Sequence, residues 1–166
     1  MEEILKQLPQ KAKEKHSENA KFFARLKKKP PKNLDYTMRE LHESEFEHTD
    51  CLQCANCCKT TGPLFTDADV VRISKYLRLK PQKFIDEYLR IDEENDYVLR
   101  QLPCAFLGAD NYCSIYEVRP KACREFPHTD RKKFYQINHL TLKNVAICPA
   151  AFAIVEKMKK LMDNRL

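Results

Sequence analysis

The stretch CLQCANCC, residues 51–58, places four thiols in eight positions. Cys51, Cys54 and Cys57 follow one another at C-x-x-C spacing, and Cys58 adjoins Cys57. A C-x-x-C turn bends the backbone so that two sulfurs converge on one ion, and zinc takes four such donors tetrahedrally at ~2.3 Å. Iron–sulfur clusters use the same donors; ferredoxin-type runs share the two-residue rhythm and often end in Cys-Pro. Cys104, Cys113, Cys123 and Cys148 supply four further thiols, and Pro149 follows the last. Thiols otherwise serve as disulfides, nucleophiles or small buried hydrophobes. This array, richer than a single C-x-x-C, reads as a metal site. Side chains of adjacent residues diverge, so Cys57 and Cys58 are not expected to serve one mononuclear ion. The eight thiols divide four and four, or serve one cluster with spares, and the spacing leaves both open.

The segment YEVRPKACREFPH surrounds Cys123 with Arg119, Lys121 and Arg124. Four thiolates around Zn²⁺, or around a [4Fe–4S]²⁺ cluster, carry a formal charge of about −2, which nearby cations stabilise. The competing reading is a solvated basic loop. His128, five residues beyond Cys123, is read as a residue outside the ligand set. His16, His42, His48 and His139 have no partner at ligand spacing.

The elements that must position these thiols are mostly helical. Residues 1–29 read as a helix ended by KKKPPKN, since tandem prolines cannot continue one. The polar stretch in its middle suggests a peripheral position. A second short helix is expected over 35–48. Thr66 with Asp69 three residues on is a capping-box start for a helix through Leu77, and Pro81 opens another. The acidic DEEND, 92–96, is a turn, and 97–102 alternates like a strand. Residues 104–116 read as two extended pieces about a GADN turn. Residues 134–142 are expected to be a strand. The last element is a helix from Pro149 with Ile147, Ala151, Ile154, Met158 and Leu161 on one face. The fold class is α+β and helix-rich: a small irregular domain, 51–166, organised around a cysteine metal site, with an N-terminal helical extension, 1–50.

Composition narrows the function. A chain of 166 residues with 43% hydrophobic and 33% charged residues fits an ordinary globular protein. The N-terminus does not read as a secretory signal and no apolar run approaches a membrane span. The cytoplasm, where thiols stay reduced, is therefore the expected compartment, and disulfides are not expected. The net charge of +6 is modest and mixed along the chain, so nucleic acid and membranes are not expected partners. With two glycines, Gly62 and Gly108, neither a P-loop nor a dinucleotide fingerprint can be written.

CLQCANCC, a T-x-x-D helix start, and then CAFL…YCSIYEVRPKACREFP together resemble the YkgJ-like cysteine-cluster family of zinc- or iron-chelating domains. The resemblance covers roughly residues 51–150. It implies that Cys51, Cys54, Cys57, Cys58, Cys104, Cys113 and Cys123 match the family's cysteines, with Cys148 at the place of a frequent later one. Tyr116, Arg119, Pro120, Arg124, Phe126 and Pro127 match its other signature positions. Arg119, Arg124 and Tyr116 are expected to support the thiolates from outside the ligand set. The family also includes a flagellin lysine methylase with an iron–sulfur cluster, which bears on the metal more than on the activity.

The leading expectation is a cytoplasmic metal-binding protein holding an iron–sulfur cluster, [4Fe–4S] favoured, or Zn²⁺, in a structural, redox or metal-handling role. No catalytic residue is assigned. Its partners would be the metal ion or cluster and a protein partner. One alternative is a protein-modifying enzyme related to the methylase. The other is a zinc-organised nucleic-acid or protein-binding module using Arg119, Lys121, Arg124, Arg131, Lys132 and Lys133 with Phe134 and Tyr135.

Overall fold

The computed structural model describes residues 1–162. Along the chain run α1 (Glu2–Lys28), α2 (Leu34–Phe46), α3 (Cys51–Cys54), α4 (Asn56–Thr60), β1 (Leu64–Phe65), α5 (Asp67–Tyr76) and α6 (Pro81–Tyr88). Then follow β2 (Leu89–Ile91), β3 (Tyr97–Leu99), α7 (Lys121–Glu125), α8 (Asn138–Asn144) and α9 (Pro149–Met162), with 3₁₀ turns at Tyr116–Val118 and Phe134–Ile137. The fold is helix-rich α+β, and among the described residues no helix is long and apolar enough to cross a membrane. The chain divides into two compact units: Met1–Cys51 with the segment from Pro127 on, and Leu52–Phe126. The residues from Pro127 on group with the N-terminal helices.

In the first unit, α1 is not peripheral. Its buried positions Leu8, Ala12, Asn19, Phe22, Phe23 and Leu26 lie one or two helical turns apart, which places them on one face. That face joins Met38 of α2 and Ala151, Ile154, Val155, Met158 and Met162 of α9 in one core. Leu161, expected on the buried face of α9, is exposed, and Met162 is buried instead. The strand expected at 134–142 is a 3₁₀ turn followed by α8. The Asp35 carboxylate accepts from the N–H groups of Lys133 (2.6 Å) and Phe134 (3.1 Å), as a helix-start cap does. Phe134, Ile137, Thr141 and Asn144 are then buried at helical spacing.

In the second unit, a short antiparallel sheet in the order β1-β3-β2 pairs Leu64 with Val98 and Leu89 with Leu99. Phe65, Val70, Ile73, Phe84, Leu89, Leu99, Phe106 and Ile115 form its core. Phe84 stacks on Tyr88 (5.4 Å) and Phe106 (6.3 Å). Each fully buried ring contributes about 1.5–3 kcal/mol. Phe106 and Ile115 anchor the segment that carries Cys104 and Cys113, so the thiols stand on an aromatic base.

Candidate metal centre

Three backbone segments of the second unit present its cysteines. The first is the helical pair α3 and α4. Between them Ala55 is buried and takes a left-handed conformation (φ 47°), an uncommon state for a residue with a Cβ. This break redirects the chain between Cys54 and Cys57. The second segment is a tight hairpin. Gly108 N–H donates to Tyr112 O (2.8 Å), Ser114 N–H to Phe106 O (2.9 Å), and Leu107 bridges Cys113. The Asn111 side-chain amide donates to Leu52 O at 2.7 Å, tying the hairpin tip to α3. Cys104 N–H donates to Cys58 O at 2.8 Å, tying the hairpin base to α4. The third segment is α7, which carries Cys123.

The thiols of these segments act on one another. The Cys57 thiol, its sulfur 4.0 Å from that of Cys58, hydrogen-bonds to it and lowers the Cys58 pKa to about 7. Burial pushes Cys104 up to about 11 and Cys123 up to about 12, and raises Cys113 as well. The charge of Cys58 adds to the rise at all three, and Cys123 also feels Cys104 and Cys113. Cys58, Cys104, Cys113 and Cys123 are therefore electrostatic neighbours. Cys54 and Cys57 are half-buried beside them in sequence, and Cys51 is exposed.

Arg119 acts in the opposite direction. Its cation lowers the pKa of Cys113 and Cys123 against the burial that raises them. Its guanidinium lies 3.8 Å from the Tyr116 ring centroid, and Nη1 donates to Tyr116 O at 2.7 Å. Tyr116 stacks on Tyr112 at 5.9 Å. The planar cation is thus fixed by an aromatic face and a carbonyl, a geometry that lysine does not reproduce. Arg124 is exposed on α7, and Lys121 pairs with Glu125 at 3.7 Å.

Two residues of this unit were not singled out from the sequence for a place near the thiols. Arg72 of α5 donates to backbone carbonyls just before α7, and Asp69 accepts from the N–H of Lys121, the first residue of α7. Burial would raise the Asp69 pKa, but donors from Thr66, Arg72 and Lys121 hold it below the usual carboxylate range. The capping box was legible; the reach of its carboxylate beyond its own helix was not.

In the first unit, the Cys148 sulfur accepts from Ala151 N–H at 3.5 Å at the start of α9. His42 Nδ1 lies 2.8 Å from the buried Thr129 hydroxyl. His128 adopts a left-handed conformation (φ 65°). Phe134, proposed for an exposed basic-aromatic face, is fully buried.

The donor chemistry fits a thiophilic metal: Cys58, Cys104, Cys113 and Cys123 are carried on three segments of one compact unit, and a backbone hydrogen bond joins the first two. Among the described residues, no three Cys, His, Asp or Glu side chains already stand close enough to hold one ion. Protonated thiols have no force drawing them together, and metal binding is coupled to their ionisation. A family model described as "CxxCxxCC: Putative zinc- or iron-chelating domain" matches residues 50–142, more than half of the chain. No solved structure matches the chain.

Proposed function

Because the chain belongs to this zinc- or iron-chelating CxxCxxCC family, we propose that it is a cytoplasmic metal-binding protein with a structural, redox or metal-handling role. Its occupant is an iron–sulfur cluster, [4Fe–4S] by preference, with zinc as the alternative. The preference rests on the C-x-x-C-x-x-C rhythm and on Cys148-Pro149. The carrying observation is that Cys104 N–H donates to Cys58 O at 2.8 Å and Leu107 bridges Cys113, which ties these three cysteines into one backbone network in the unit that also carries Cys123. These four are the core of the proposed ligand set, which Cys54 and Cys57 extend within the same unit; Cys51 and Cys148 are proposed as ligands on the cysteine pattern alone.

A bound cluster supplies one-electron chemistry, and zinc supplies a covalent-strength cross-link. The protein's own part is to ionise buried thiols and to offset their charge. Arg119, held by Tyr116, is the cation placed for that offset, with Arg124 further out on α7. The enzymatic alternative needs a polar pocket beside the thiols. The cleft of about 110 Å³ lined by Glu87, Tyr88, Leu99, Arg100, Gln101 and Ala105 has no cysteine in its walls.

Anaerobic purification with metal analysis and a visible spectrum tests the reading. A brown protein absorbing broadly near about 400 nm identifies iron–sulfur, and a colourless one with stoichiometric zinc identifies zinc. Neither metal at stoichiometry, even after reconstitution, overturns the proposal.

A further inference from the structure

Asp69 has a job that its helix does not require. A capping box at the start of α5 needs one carboxylate oxygen. Oδ2 fills that role, accepting from Thr66 N–H at 3.0 Å and from the Thr66 hydroxyl at 2.7 Å. Oδ1 is turned elsewhere: it accepts from Arg72 Nη2 at 2.5 Å and from the backbone N–H of Lys121 at 3.1 Å. Arg72 extends the same contact. Its Nε donates to Val118 O (3.3 Å) and its Nη2 to Arg119 O (3.0 Å). Three backbone groups between Val118 and Lys121, on both sides of Pro120, are therefore held by two side chains of α5. The Asp69 side chain is 1% exposed, and a carboxylate buried so fully is costly unless its partners are all in place.

Cys123 lies two residues beyond Lys121, in a helix of five residues. So short a helix has little stability of its own, and its position is set by what grips its ends. On α5, Val70 and Ile73 are buried in the aromatic core that also anchors the Cys104–Cys113 hairpin. We propose that Asp69 and Arg72 are positioning residues of the thiol site, holding the segment of Cys123 in register with Cys104 and Cys113 through α5. This rests on the metal-binding reading above.

The test uses the full chain, reduced and anaerobic, with Co²⁺ alone as the probe. Thiolate-to-cobalt charge-transfer absorption reports how many sulfurs are bound. Asp69→Asn and Arg72→Lys are expected to weaken Co²⁺ binding by about 10–100-fold, as loss of outer partners does elsewhere. They are also expected to lose charge-transfer intensity and to speed alkylation of Cys123 in the metal-free protein, with far-ultraviolet dichroism unchanged.

Lys121→Pro removes the N–H that donates to Asp69, together with the exposed lysine side chain, whose loss Lys121→Ala controls for. Proline suits the first helical position, and Pro120 is already extended (ψ 149°), as a residue preceding proline must be. It should act in the same direction as Arg72→Lys, while Lys121→Ala, which keeps the N–H, should match the wild type. If Asp69→Asn does not fold, the Lys121 pair decides. Wild-type affinity and absorption in Arg72→Lys and Lys121→Pro, alongside a weakened Cys123→Ser, overturn the positioning role and leave the metal-binding reading standing. Unchanged binding in Cys123→Ser overturns Cys123 as a ligand, and this inference with it.

Discussion

The amide of Cys104 donates to the carbonyl of Cys58 at 2.8 Å. Two cysteine segments separated by 45 residues are thus joined through backbone atoms, and the join does not depend on either sulfur. Serine at position 58 or 104 keeps this bond while removing a thiolate. We expect Cys58→Ser and Cys104→Ser each to fold as the wild type does and to lose bound metal. Metal analysis after purification, beside a thermal melt of the metal-free proteins, checks this. Full metal content in either variant would remove that residue from the ligand set.

Metal uptake should strengthen steeply with pH. Cys104, at about 11, Cys123, at about 12, and Cys113, also raised, are protonated near neutrality and must each release a proton to bind. Cys58, at about 7, is half ionised there. Each displaced proton adds about one decade of affinity per pH unit, so these four thiols alone should contribute a slope of about three above pH ~7.5 and about four below ~6.5. Zn²⁺ titration against a competing chelator across this range measures it. The sign for the metal-free protein is opposite. Folded-state values above the ordinary thiol value of 9.0 mean that these groups stabilise the fold fully below that pH and lose their contribution as pH rises through about 11 to 12. Denaturant midpoints of the metal-free protein should fall over that interval.

Arg119 should matter more than Arg124. Arg119 is fixed over Tyr116 and its charge reaches Cys113 and Cys123, whereas Arg124 is exposed. Arg119→Ala is expected to weaken metal binding by about 10–100-fold, with Arg119→Lys only partly restoring it. Arg124→Ala should cost less, and Lys132→Ala, at an exposed position, should cost nothing measurable. Equal affinities in all four, by chelator competition, would return the basic loop to a solvated surface.

What the sequence makes legible follows from the range of the forces involved. The start of α5 was readable because Thr66 and Asp69 are three residues apart and satisfy each other locally. Pro81 and Pro149 likewise announce α6 and α9 through their own geometry. The error at 134–142 has a distant cause: the carboxylate that caps this segment, Asp35, lies 98 residues away from Lys133. The burial of α1 was hidden because its polar middle includes Asn19, which is buried despite its amide. Arg72 reads as a solvated helix residue until the carbonyls of Val118 and Arg119, 46 and 47 residues on, are seen to accept from it. The cysteine pattern supplies the proposed donors. The bonds that hold their segments run from backbone to backbone at Cys104 and Cys58 and between side chain and backbone at Asn111, Asp69 and Arg72, and the cysteine pattern encodes none of them.

The two glycines should respond oppositely to alanine. At Gly108 an added Cβ would lie 2.6 Å from Asp110 Oδ1 and 3.3 Å from Tyr112 O. The carboxylate cannot move away without cost, because it accepts from Tyr112 N–H at 3.0 Å and shapes the tip of the hairpin. Loss of that bond sets the scale, about 0.5–1.5 kcal/mol. At Gly62 the nearest atoms are 3.6 Å away on Leu99, ordinary contact, and φ is not positive. Gly62→Ala should therefore be neutral or stabilising by up to about 1 kcal/mol, through a less flexible unfolded chain. Urea unfolding of the metal-free proteins gives both numbers. In an Asp110→Ala background the clash partner is gone, and Gly108→Ala should cost less than it does alone, a coupling that a double-mutant cycle isolates. Strict additivity of the two substitutions would show that the carboxylate is not what makes this position require glycine.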